Sequence, residues 1–322
     1  KGEFKEILVV TTTKIDYARY EVVDFSLRNP LKFLKGKRKL AKLIGEFKPD
    51  FIHVHQANSC AYMSVLANRT SSVPLVTTCW GSDVLVLPKR SALLKRIAIK
   101  SLKGSDVLTV DAKYMEDAVV ELGVEKQVVL ANFGIELVGE QTAEKENIIY
   151  SNRLHKELYN IDKIIKGVSR FLDQNPNWKI IIGASGPMTE ELKTLAKKEL
   201  NSNQFEFIGF VDQATNRSFY LKSKIWVSIP SSDGTAISLL EAMGYGCIPV
   251  VSDLPANQEW VEDGVNGVIA ENDLSNSIEN ALGLELEEVV LKNKNIIEEH
   301  GTKEANRKKF VQIYHQLNES KS

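Results

Sequence analysis

Cysteine is scarce in this 322-residue chain: Cys60, Cys79 and Cys247 are its whole complement, each in apolar or strand-like surroundings. They form neither a disulfide framework nor a metal-ligand spacing, which fits a reducing compartment. Long apolar runs are also missing. No stretch is long enough to span a bilayer and no signal peptide is seen, and with this cysteine usage a cytoplasmic protein is expected. Repeats and low-complexity tracts are absent. So are aromatic-interleaved basic motifs, which argues against a nucleic-acid partner. Net charge is nearly absent, at −1, but this conceals an asymmetry: residues 1–140 hold 21 basic and 16 acidic residues, the remainder 20 and 26. A basic front half and an acidic back half point to two units with different partners.

What is present is alternation. Hydrophobic residues make up 43% of the chain, enough for sizeable cores, and the length suits two domains. In the first half, Glu6–Val10, Tyr20–Phe25, Phe51–His55, Leu75–Thr78, Val107–Val110 and Val128–Leu130 read as strands. Leu31–Phe47, Ala57–Ala67 and Ala92–Leu102 read as helices between them. The polar, charged stretch Glu140–Asn147 is the best linker candidate. A second alternation follows, with strands at Ile148–Ser151, Lys179–Ile182, Phe205–Ile208, Ile225–Ser228, Ile248–Ser252 and Gly267–Ile269. Its helices are Ile161–Gln174, Met188–Leu200, Arg217–Leu221, Thr235–Met243 and Leu274–Ala281, and Leu286–His300 and Lys303–Leu317 close the chain. This pattern implies an α/β fold of parallel, doubly wound sheets, which bind ligands at the carboxyl ends of their strands.

The most informative segment is Pro230–Asp253, P-S-S-D-G-T-A-I-S-L-L-E-A-M-G-Y-G-C-I-P-V-V-S-D. A loop of small residues opens a helix, which offers backbone N–H groups and a positive dipole end to an anion. Glu241, about two turns on, can accept hydrogen bonds from hydroxyls beside that anion. The plain alternative is an ordinary helix start with Asp233 as cap and Glu241 as a solvated acid. Glu241 sits beside the apolar stripe of Ile237, Leu240 and Met243 and before Ala242 and Gly244, where a charge needs a partner. After the strand at Ile148–Ser151, Arg153 and Lys156 are placed to hold a diphosphate, with surface charge as the alternative. Asp50–His55 carries two histidines on one strand face, and a metal site is a poor explanation without a third ligand.

The Pro230–Asp253 segment resembles the donor-site signature of the family-4 retaining glycosyltransferases: an acid, seven residues, Glu, then A-M-x-x-G-x-P-V. Asp233 stands where the family more often has Glu, and Glu241 fits the second position. The resemblance implies the GT-B arrangement, two Rossmann-like domains facing a central cleft. It implies that Glu241 binds the ribose, and that Asp233, Gly234, Thr235, Ala236 and Ile237 face the donor sugar and phosphates. Gly183-Ala184-Ser185-Gly186-Pro187 resembles the family's G-x-G-P turn, and Phe207–Val211, with Gly209 and Phe210, its F-x-G-x-V segment near the base. The H-x-H strand resembles the one whose second histidine, here His55, reaches the transferred sugar. Trp80-Gly81-Ser82-Asp83 resembles an acceptor-side loop, through Trp80 and Asp83, and Asn132–Glu136 the crossing to the second domain. Arg153 and Lys156 match the family's basic pair, though Leu158 holds the place usual for the lysine. The family's glycine-rich loop has no counterpart after Glu6–Val10, which runs into Thr11-Thr12-Thr13.

The boundaries that follow are 1–137 for an acceptor-side domain, 138–301 for a nucleotide-sugar-binding domain, and 302–322 for a helix packing back toward the first. The implied reaction moves a hexose from a UDP- or GDP-sugar to a hydroxyl of a glycan or lipid-linked acceptor, in polysaccharide or glycolipid synthesis. The implied catalytic residues are His55, Asp233, Arg153 and Lys156, with no metal. A sugar-nucleotide epimerase and a degenerate nucleotide-sugar-binding protein are the alternatives. Two basic stretches, residues 31–48 and 88–103, suggest either a solvated helix face or a peripheral position on an anionic membrane.

Overall fold

The computed structural model describes residues 4–138 and 143–319, in two compact units: Lys1–Asn132 with Arg307–Ser322, and Phe133–Asn306. The expected linker lies partly outside the described residues, at 140–142, and its last residues already belong to a strand.

In the first unit β1 (Val9–Thr11) and β2 (Tyr20–Val22) form a separate parallel pair. β3 (Ile52–His55), β4 (Leu75–Thr78), β5 (Val107–Val110) and β6 (Gln127–Leu130) form a parallel sheet in chain order. Every residue of β4 and β5 is buried, as expected of strands covered on both faces. Ile313 and Leu317, from the helix Lys303–Glu319, pack with Val76 and Val107.

The second unit has six parallel strands: β7 (Glu146–Ser151), β8 (Lys179–Gly183), β9 (Phe205–Gly209), β10 (Ser223–Ser228), β11 (Ile248–Val251) and β12 (Val268–Ile269). Their spatial order is β12-β11-β10-β7-β8-β9, the doubly wound order of dinucleotide-binding sheets. Alternate residues supply the cores on the two faces: Ile149, Ile180, Ile182, Ile225 and Val227 on one, Ile148, Tyr150, Ile181 and Trp226 on the other. The helix Ile161–Gln174 covers the first face with Ile161, Ile164, Ile165, Val168, Phe171 and Leu172. That stripe follows helical spacing, and each such side chain contributes roughly 1.5–3 kcal/mol. The strand order reverses between β7 and β10, so the loops leaving those two strands flank the crevice where such sheets take ligands.

Candidate functional site

The loop leaving β10 and the loop leaving β7 are tied to each other. Asn160, at φ 51°, donates through Nδ2 to the Ile229 carbonyl at 2.8 Å, and Ser231 N–H donates to the Leu158 carbonyl at 2.9 Å. The helix that follows begins at Ile237, two residues later than its expected start at Thr235. Ala236 occupies the N-cap position, with no side chain bonded to the first turn. Asp233 therefore does not cap the helix. It accepts from the Gly234 N–H at 3.1 Å and pairs with Arg153. Thr235 is buried and its hydroxyl accepts from the Trp260 indole at 3.2 Å. Ile237 is exposed at the helix start.

Arg153 leaves the end of β7 and reaches the same place. Its Nη2 pairs with Asp233, its Nη1 donates to Ser238 Oγ at 2.9 Å, and its guanidinium lies 4.6 Å from the centre of the Tyr159 ring. The pair is largely shielded, with 10% of the Arg153 side chain and 21% of the Asp233 side chain exposed. Burial pushes the Asp233 carboxyl up, against the opposing pull of Arg153. Lys156 is exposed and precedes a short 3₁₀ turn, Glu157–Tyr159. The structure thus gathers Arg153, Asp233 and Ser238, while Lys156 stays at the surface.

Between Arg153 and Lys156, His155 is turned inward. Its Nδ1 lies 2.8 Å from Thr189 Oγ1 and its Nε2 lies 3.1 Å from the Gly183 carbonyl, and burial lowers its pKa. The close backbone approach expected of the Gly183–Pro187 turn is made to the chain itself. A Cβ on Gly186 would sit 2.5 Å from the His155 carbonyl oxygen, and one on Gly183 would sit 3.1 Å from the Tyr150 hydroxyl. Gly209, at φ 64°, accepts from the Ala184 N–H at 2.7 Å, and Phe210 beside it is 70% exposed.

Glu241 is half-buried on the helix Ile237–Gly244 and ends a polar network. Asn216 Nδ2 donates to its Oε2 at 3.4 Å, and the Tyr220 hydroxyl lies near it. Burial raises the Glu241 carboxyl, and the neighbouring Tyr220 hydroxyl counteracts the rise. Behind these stand Asn152, Tyr150 and Trp226.

In the first unit His53 and His55 share a face of β3, with ring centroids 4.6 Å apart. His53 has one nitrogen 2.7 Å from the Tyr314 hydroxyl and the other 2.7 Å from Thr78 Oγ1. Burial, helped by His55, lowers its pKa to about 3, so it is neutral. His55 is exposed at the strand end, and the Trp80 indole donates to its Nδ1 at 3.4 Å. Asp83, expected to reach ligand, is 2% exposed. Its carboxylate accepts from the Ala57 N–H at 2.6 Å and the Trp80 N–H at 2.9 Å. It clasps the loops after β3 and β4.

The family model of glycosyl transferases group 1 matches residues 138–303, and that of glycosyl transferase 4-like proteins matches residues 7–112. The chain belongs to the group 1 glycosyl transferases. This glycosyltransferase is 20% identical over 315 residues to the alpha-monoglucosyldiacylglycerol synthase of Streptococcus pneumoniae, covering 86% of the chain and 70% of that relative. It is 24% identical over 243 residues to the phosphatidyl-myo-inositol mannosyltransferase of Mycolicibacterium smegmatis, covering 71% of the chain and 60% of that relative. It therefore spans less than the full length of both. The structure of Anabaena HepE in complex with UDP-glucose matches with a TM-score of 0.77 at 15% identity, over 97% of this chain and 90% of that one. A likeness at such identity is one of fold, here GT-B. Reading the glycosyltransferase from sequence missed Ser238, Asn216, Tyr220 and Tyr314. The last three left a trace in the four-residue spacing of Asn216 with Tyr220 and of Phe310 with Tyr314, which puts each pair on one helix face.

Proposed function

We propose that the chain is a retaining glycosyltransferase that moves a hexose from a nucleoside diphosphate sugar to a hydroxyl of a glycan or lipid-linked acceptor. The observation that carries this reading is the placing of Arg153, Asp233 and Ser238 where the β7 and β10 loops meet at the start of the Glu241 helix. Arg153 and the helix N-terminus take the charge of the diphosphate, Lys156 adds a point charge, and Glu241 accepts from the ribose hydroxyls. These groups are aimed where negative charge grows as the sugar–phosphate bond breaks. In same-face transfer the acceptor oxygen bonds to the anomeric carbon as the diphosphate oxygen leaves. The acceptor's proton passes to that oxygen, and the configuration is retained. In this reading Arg153, Lys156 and the helix replace a metal, and His55 is the catalytic residue of the first unit. The UDP-glucose complex of HepE and the glycolipid-synthesising names of the two curated relatives support the donor and acceptor classes.

A panel of UDP- and GDP-sugars, with and without lipid-phosphate or glycan acceptors and with EDTA, tests the proposal. Acceptor-dependent nucleotide release that survives EDTA, with a product of unchanged anomeric configuration, is the expected result. Epimer formation without release would mark an isomerase, and no release from any donor a binding protein.

The reading includes a peripheral position on a cytoplasmic membrane face. Among the described residues no helix is long and apolar enough to cross a membrane. The helix Ala92–Lys103 exposes Lys95, Arg96, Lys100 and Lys103, with Leu93 64% exposed beside them. Each basic residue at an anionic surface is worth about 1 kcal/mol. Reversing Lys95, Arg96 and Lys100 to Glu is expected to abolish sedimentation with vesicles rich in phosphatidylglycerol; unchanged sedimentation sinks this part.

A further inference from the structure

Trp226, Asn152, Tyr220, Asn216, Tyr150 and Glu241 form one hydrogen-bonded chain in the second unit, and its polarity can be read from one end. An indole N–H only donates. Trp226 Nε1 gives its proton to Asn152 Oδ1 at 2.9 Å, which fixes the Asn152 amide. Its Nδ2 then faces two acceptors, the Tyr220 hydroxyl at 2.7 Å and Asn216 Oδ1 at 3.0 Å. The Tyr220 hydroxyl therefore accepts from Asn152 and turns its own proton elsewhere, with the Glu241 carboxylate close enough to act on it. Asn216 Oδ1 also accepts from the Tyr150 hydroxyl at 2.6 Å, so its Nδ2 must face Glu241 Oε2, at 3.4 Å. Each of the two amides has one orientation, and the chain runs through Asn216 to the carboxylate.

Such a chain is costly as packing alone. Tyr150, Tyr220 and Trp226 are wholly buried, where polar atoms lose water and an apolar side chain of the same shape would fit. Its outer end is half-buried Glu241. Asn216 occupies one of roughly four acceptor positions on an ionised carboxylate. Those left suit a pair of neighbouring hydroxyls.

We infer that Asn216 and Tyr220 are positioning residues that orient Glu241 toward the vicinal hydroxyls of the donor's ribose, with Trp226 setting the direction of the whole chain. This rests on the donor reading proposed above. It assigns roles to residues on the helix Gln213–Lys222, outside the signature segment.

The test compares the affinities of UDP and 2′-deoxy-UDP by calorimetry, with GDP and 2′-deoxy-GDP as the second pair. The wild type should favour the ribonucleotide roughly tenfold or more, the weight of hydrogen bonds to a charged group. Glu241→Gln should remove most of that preference. Tyr220→Phe and Asn216→Leu should each lower the ratio several-fold. Asn216→Asp keeps the shape but turns an acceptor toward Glu241, so it should lower the ratio too. A purely structural role would weaken ribo- and deoxynucleotide alike and leave the ratio intact. A wild-type ratio in Tyr220→Phe and Asn216→Asp overturns the inference. A wild type without ribose preference, or one that Glu241→Gln leaves unchanged, overturns the donor reading instead.

Discussion

Replacing Asp233 by Ala removes the carboxylate that holds Arg153. Among the described residues, the guanidinium keeps a neutral hydroxyl, Ser238 at 2.9 Å, and the face of Tyr159 at 4.6 Å. Breaking a fully buried ion pair from one side costs about 3–5 kcal/mol. Here 10% of the arginine and 21% of the aspartate side chain are exposed, and water can enter the space the carboxylate leaves, so we expect about 2 kcal/mol. For a unit spanning 133–306, that corresponds to a fall of about 4–8 °C in melting temperature. Thermal melts of Asp233→Ala, Arg153→Met and the double variant measure it. The double variant should recover part of the loss, because it no longer buries a lone charge, so the cycle should show coupling above about 1 kcal/mol. UDP should raise the melting temperature of Asp233→Ala more than that of the wild type, since its phosphates meet an arginine without a competitor. If Asp233→Ala melts with the wild type, or the two single losses simply add, the pair is not the mutual support described here.

His53 makes the first unit acid-sensitive. Its folded pKa of about 3 lies below the ordinary 6.5, so the unfolded chain binds the extra proton between those values. Its contribution to stability is complete above pH 6.5 and is lost as pH falls toward 3, by up to about 1.4 kcal/mol per pH unit. Denaturant melts of His53→Gln from pH 4 to 7 should show a shallower dependence than the wild type, and parallel curves would refute this. Gly186→Ala places a methyl 2.5 Å from the His155 carbonyl oxygen and 2.9 Å from its carbon, backbone atoms that cannot swing aside. A loss of about 1–3 kcal/mol in urea unfolding is expected, whereas a neutral result would mean that the turn opens freely.

Strands and helices with strong periodicity were legible in the residues. β4 and β5 fall where expected because fully buried parallel strands read as short apolar runs between breakers. The helix Ile161–Gln174 does so because six buried residues mark its stripe. The helix Lys113–Glu121 was missed: Ala112 precedes it without a capping side chain, so no start signal is written. The short helix Leu87–Arg90 was missed as well, with Pro88 in its first turn. The start of the Glu241 helix was placed too early for a related reason, since Asp233 looks like a cap but is drawn away by Arg153, 80 residues earlier. Pairings of that range, like His53 with Tyr314 across 261 residues, leave no local mark. The signature segment could be recognised, but not the partners that orient it.

The two units also differ in how they become complete during synthesis. The second is one continuous span, 133–306, and can close its core while translation continues. The first must wait for Ile313 and Leu317 to cover Val76 and Val107, although its strands emerge first. Until residues 307–319 leave the ribosome, an apolar sheet face stays open to chaperones, and a ribosome stalled just before them would hold a finished second unit beside an unfinished first one.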